Sequence, residues 1–198
     1  MMRGISRRDV LRNLAFGAAG GSVLQIIPAE AAALAHQMVH KEKSASPAGK
    51  YAPKYFSPHQ YKTLTALCDL IIPKDEKSGG AVEAGAPEFI DLLCSENEEF
   101  QMHIGGGFQW LDNACRDRYE HTFLESTPAQ KKEILDLIAY RKNAKSDPSL
   151  AQGIVFFARL RQMTCDAFYT SKIGIADLQY IGNTALADFP GCPPVPEG

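Results

Sequence analysis

The sequence predicts an all-α protein: a single compact body of about five to six helices, preceded by an amino-terminal leader and closed by a proline-rich tail. Three observations carry this. Ser57-Pro58-His59-Gln60 and Thr127-Pro128-Ala129-Gln130 are one helix-starting device used twice. In each, a hydroxyl caps free amides, proline presets the first helical residue, and glutamine reaches back to the cap. Apolar residues then recur at spacings of three and four, the period of a helix face. Finally, no segment alternates convincingly with period two, as a half-buried strand would.

Taken in order, the first helix follows Ser57, with Tyr61, Leu64, Leu67/Cys68 and Ile71/Ile72 on one face and a stop at Pro73. A second runs from Pro87 to Cys94 around Phe89, Ile90, Leu92 and Leu93. Gly105-Gly106-Gly107 reads as a turn before a longer helix over Phe108 to Phe123, with Trp110, Leu111, Cys115 and Tyr119 on its buried side. The Thr127 helix carries Ile134, Leu135 and Ile138, with Arg141 and Lys142 placed to complement its dipole. Leu150 to Tyr169 repeats the helical spacing, and Gly174 to Asn183 reads as a short helical turn. From Asp188 to Gly198 there are four prolines in eleven residues, a tail suited to lying along a surface. The expected organisation is a leader over 1–35, a flexible linker over 36–56, a helical domain over 57–185 and the tail over 186–198.

Charge narrows the classes of function. The 198-residue chain has a formal net charge of −2, and its basic excess is confined to the leader. A mildly acidic body lacks the clustered basic face that phosphate backbones need, so no nucleic-acid partner is expected.

Ser6-Arg7-Arg8-Asp9-Val10-Leu11-Arg12 resembles the twin-arginine export motif, with Arg7, Arg8 and Leu11 at its defining positions. Val10 replaces the usual aromatic residue and Arg12 the usual lysine. The apolar stretch from Leu14 to Ile27 is 14 residues long and diluted by glycine, short of the roughly 20 residues that span a bilayer. Ala29-Glu30-Ala31 and Ala33-Leu34-Ala35 both fit the small-x-small pattern read by signal peptidase, making Ala31 and Ala35 candidate cleavage residues. The twin-arginine route carries folded cargo. Its bearer therefore holds a cofactor or travels with a partner that does, and a periplasmic destination is expected.

The body shows no motif for holding a redox group. Cys-x-x-Cys-His and paired Cys-x-x-Cys are absent, which disfavours c-type haem and the common iron–sulfur and zinc sites. No glycine fingerprint follows a strand, so dinucleotide binding lacks support. No catalytic, cofactor-binding or metal-ligating residue is assigned. Five cysteines (68, 94, 115, 165 and 192) would enter an oxidising compartment. Cys192, in the tail, is the best candidate for a disulfide, with its partner unassigned. His36 and His40 have i, i+4 spacing but read as exposed tether residues, and His59 as a cap-adjacent surface residue. Trp110 belongs to the expected core and is also a candidate interface anchor.

The string Ser57-Pro58-His59-Gln60-Tyr61…Leu64…Leu67…Asp69…Ile71-Ile72-Pro73, followed by Gly80-Ala81-Val82-Glu83-Ala84-Gly85…Phe89-Ile90-Asp91, resembles the gluconate 2-dehydrogenase subunit 3 family. The resemblance implies a non-catalytic small subunit with no cofactor of its own. Its partner would be a large FAD-binding flavoprotein of the glucose–methanol–choline type, often with a c-type cytochrome as electron acceptor. It further implies that the small subunit helps the flavoprotein fold and escorts it to the twin-arginine translocase, leaving a periplasmic complex that can associate with the membrane. Tyr180-Ile181-Gly182-Asn183 and Phe189-Pro190-Gly191-Cys192-Pro193 also look like small subunits of glucoside 3-dehydrogenases, which makes Tyr180 and Asn183 further interface candidates. The rival expectation is a free-standing periplasmic helical enzyme or ligand-binding protein.

Overall fold

A computed structural model describes residues 27–180 and Gly182. Six helices of eleven residues or more build the body: α1 (Ala29–Ala45), α2 (Pro58–Ile71), α3 (Ala86–Glu96), α4 (Gly106–Tyr119), α5 (Pro128–Ile138) and α6 (Ala151–Tyr169). A short α7 (Lys172–Asp177) follows. No strand occurs among the described residues, and the all-α expectation holds.

Both helix-starting devices form as reciprocal capping boxes. The Ser57 side chain accepts from the Gln60 amide while the Gln60 side chain accepts from the Ser57 amide, and Thr127 and Gln130 repeat the pattern. Such caps contribute about 1 kcal/mol each.

Helix α3 is the centre of the domain. Its residues Ala86, Pro87 and Phe89 through Cys94 are all buried, because a helix apolar on every side must be enclosed on every side. Helices α1, α2 and α6 enclose it. It begins after Gly85, whose φ of +83° lies in the left-handed region that favours glycine. Helix α6 is the long strut, touching α2, α3, α4, α5 and α7. Within it Phe156, Leu160, Met163 and Ala167 face the core. No described helix is long and apolar enough to cross a membrane.

Three expectations are corrected. The segment 36–56 is not a flexible tether: α1 continues to Ala45, and its apolar edge of Ala31, Ala32, Ala35 and Val39 is buried. Alanine is the strongest helix former, and its small side chain lets α1 lie close against α3. The remaining part, Tyr51 to Phe56, is anchored by Asp91. Secondly, the three glycines at 105–107 do not make a turn. A π-helical stretch, Gln101–Gly105, runs directly into α4. Gly107 is needed as a notch there, since a Cβ on it would sit 1.9 Å from the Phe156 ring. Similarly, Gly153 of α6 receives the Trp110 ring, which an added Cβ would meet at 2.3 Å. The two notches let α4 and α6 cross closely. Lastly, the predicted helix over 108–123 ends at Tyr119, with Glu120 at φ +66°, and Phe123 is buried from the turn that follows.

Candidate functional site

Among the described residues, groups capable of chemistry include Asp91, the His59–Asp112 pair, His36 and the thiols. Each is positioned by packing between helices.

Asp91 projects from α3 with no solvent exposure. Its Oδ2 accepts from the Tyr51 hydroxyl at 2.9 Å and the Lys54 amide at 2.7 Å; its Oδ1 accepts from the amides of Tyr55 at 3.2 Å and Phe56 at 2.9 Å. Three consecutive backbone N–H groups curl around one carboxylate, the kind of nest that stabilises an anion. The result is mechanical: Phe56 is held edge-on to Phe108, which meets Phe156 in the same way. Burial together with the Asp91 charge pushes the Tyr51 hydroxyl pKa far above its usual value.

His59 Nε2 lies 2.6 Å from Asp112 Oδ2, and Asp112 Oδ1 accepts from the Phe123 amide at 3.1 Å. One carboxylate thus latches the start of α2 and the turn after α4. His59 is therefore more than a cap-adjacent surface residue. Asp91 appears in the sequence only as the end of the family string and Asp112 not at all, because a buried aspartate on an apolar helix face gives no local pattern distinguishing it from a solvated one.

The thiols of Cys68, Cys94 and Cys115 are buried and free, and Cys165 is free and partly buried. Burial pushes the Cys68 thiol up to about 12 and raises Cys94, Cys115 and Cys165 as well. A thiol so raised stays protonated, and the thiolate is the reactive form. Among the described residues no group of three His, Cys, Asp or Glu side chains could hold a metal ion.

His36 sits on α1 with Nε2 3.0 Å from the Thr170 hydroxyl oxygen and its ring 4.9 Å from that of Phe89. The Thr170 hydroxyl also donates to the Asp166 carbonyl. Desolvation lowers the His36 pKa below its ordinary 6.5. An undocked α1 therefore takes up the proton first, so the docking free energy is complete above pH 6.5 and falls as the pH drops below it. Hydrogen-exchange protection of the α1 amides, corrected for intrinsic rates, is expected to be lower at pH 5 than at pH 7.5. The same comparison in His36→Gln is expected to show a smaller difference.

Trp110 packs against Gly153 and borders an open groove of about 500 Å³, lined also by Gln109, Asn113, Asp117, Arg118 and Gln152. Tyr180 is 53% exposed and follows α7, where Leu178 is also exposed. These two candidates are separate: Trp110 lies on the α4–α6 side and Tyr180 beyond α7. A second groove of about 610 Å³ runs between α1 and the α6–α7 connection, past His36, His40, Lys43, Thr170 and Lys172. Ala31 and Ala35 lie fully buried within α1. Arg7, Arg8, Leu11, Asn183 and Cys192 lie outside the described residues.

These features define a small helical domain whose polar side chains chiefly clamp helices together, and whose open surface consists of grooves between helices. The model of the family described as gluconate 2-dehydrogenase subunit 3 matches residues 58–191, and the chain belongs to that family. It is accordingly a small subunit of a dehydrogenase complex. No curated protein and no solved structure matches the chain.

Proposed function

We propose that this chain is the non-catalytic small subunit of a periplasmic FAD-dependent sugar or glucoside dehydrogenase, and that it serves a glucose–methanol–choline type flavoprotein as folding partner and export escort. Family membership supports a dehydrogenase partner. The observation that carries the non-catalytic role is how the reactive groups are used. Asp91 is saturated by four protein donors, Asp112 is engaged by the Phe123 amide and the His59 ring, and the buried thiols are held protonated. The FAD then belongs to the large subunit. The twin-arginine motif on this chain supplies an address for a cargo translocated folded.

Binding that favours the folded flavoprotein stabilises it by mass action, about 2.7 kcal/mol when the free subunit is at a hundred times its Kd. The candidate contacts are Trp110, a type of residue favoured in interface hot spots, and the Tyr180–Asn183 segment. A c-type cytochrome would complete electron transfer. The experiment is deletion of this chain from cells producing the flavoprotein. The expected result is a flavoprotein retained in the cytoplasm and poor in FAD. Undiminished export and full FAD content would refute the proposal.

A further inference from the structure

The two small-x-small sequences that fit signal peptidase lie inside a folded helix. Ala31, Ala32 and Ala35 have no solvent exposure, and Ile27 and Val39 are only 6% exposed. Helix α1 starts immediately after Pro28, where the Ala32 amide bonds the Pro28 carbonyl at 2.9 Å. It is fastened along its length: the Ile27 amide to Asp166 at 3.4 Å, His36 to Thr170 at 3.0 Å, Lys43 to Glu88 at 2.5 Å, and Glu42 to Lys54. A peptidase takes its substrate as an extended strand whose backbone pairs with the enzyme. Nicking accordingly concentrates at exposed, poorly bonded segments. Cutting after Ala31 or Ala35 requires at least the first half of α1 to leave α3 and unwind. Cleavage after Ala35 would also detach Ala31, Ala32 and Ala35 from the core.

We propose that docking of α1 masks both processing sites, so that the folded subunit keeps its leader after export. The proposal rests on reading residues 1–35 as a twin-arginine leader. A route that delivers its cargo folded presents α1 to the peptidase already docked. Retention then follows from the fold, while the sites themselves remain chemically suitable. Processing becomes a report on the state of the domain: a chain in which α1 has undocked is cut, and one in which it is seated is spared. In the assembled complex the leader would remain covalently attached to the small subunit.

The test is digestion of the purified full-length chain by bacterial signal peptidase in detergent, read by intact mass, beside a synthetic peptide of residues 1–45. Val39→Asp lies outside both small-x-small triplets and opposes seating of α1. Thr170→Val removes the partner of His36 and leaves the leader sequence untouched. The expected result is cleavage of the peptide and of Val39→Asp at least about tenfold faster than wild type, with Thr170→Val between them, as protection set by local opening requires. Wild type cut at the peptide's rate would overturn masking while leaving the leader reading intact. Val39→Asp as resistant as wild type, with its α1 amides exchanging freely, would overturn masking too. A peptide that is not cut at all would sink the leader reading, and this proposal with it.

Discussion

Replacing Asp91 with alanine is expected to lower the stability of the domain by about 3–5 kcal/mol, the sum of a few buried donors deprived of their acceptor at about 1–3 kcal/mol each. The mechanism is specific. The Tyr51 hydroxyl and the amides of Lys54, Tyr55 and Phe56 all donate to this one side chain. Without it, the buried Phe56 amide and the half-buried Tyr51 hydroxyl lose their acceptor, and an unpaired buried donor costs about 1–3 kcal/mol. The seat of Phe56 against Phe108 is lost in the same step. Asp91→Asn keeps the shape but turns one acceptor into a donor facing other donors, so its loss is expected to fall between wild type and alanine. Urea unfolding of the three proteins measures both effects. An alanine variant within 1 kcal/mol of wild type, on the scale of a single ordinary hydrogen bond, would refute the clamp.

Gly107→Ala is expected to cost about 2–3 kcal/mol, the upper part of the range for overpacking a filled core. The added methyl would lie 1.9 Å from one Phe156 ring carbon and 2.7 Å from Phe156 Cβ. Phe156 is 1% exposed and has no free space to enter. The α4–α6 crossing must then open. Gly153→Ala meets the Trp110 ring at 2.3 Å, but Trp110 borders an open groove and can turn outward, so its loss is expected to be smaller. Thermal unfolding of the two variants side by side checks the ranking; equal losses would mean that the groove gives Trp110 no room. A Gly153→Ala protein that stays folded but binds its dehydrogenase partner less well would also identify the Trp110 groove as part of the interface.

Much of the fold was legible because its signals are local. A Ser or Thr followed by Pro and then Gln fixes a helix start whatever surrounds it, and both starts form as the sequence implies. The apolar spacing in α2, α5 and α6 likewise reports a buried face directly. The sequence misleads where tertiary contact overrides local preference. Three successive glycines look like a turn until Phe156 and Trp110 are seen to need notches. The segment after residue 35 looks like a tether because it is polar, and it continues a helix whose alanines, the best helix formers, pack on the core. The roles of Asp91 and of the His59–Asp112 pair were illegible for a different reason: each joins positions 35 or more apart in sequence. Interface residues are harder still, since their partner's surface is not written in this chain.

The proposed role is that this small subunit carries an export address for the benefit of a flavoprotein. The most direct measurement is the location of that flavoprotein when Arg7 and Arg8 are both changed to lysine, substitutions that leave residues 27–182 unaltered. The expected result is that the small subunit and flavoprotein still copurify, with FAD bound, but from the cytoplasm, and that periplasmic dehydrogenase activity disappears. Flavoprotein reaching the periplasm in undiminished amount alongside the Arg7→Lys, Arg8→Lys subunit would contradict it.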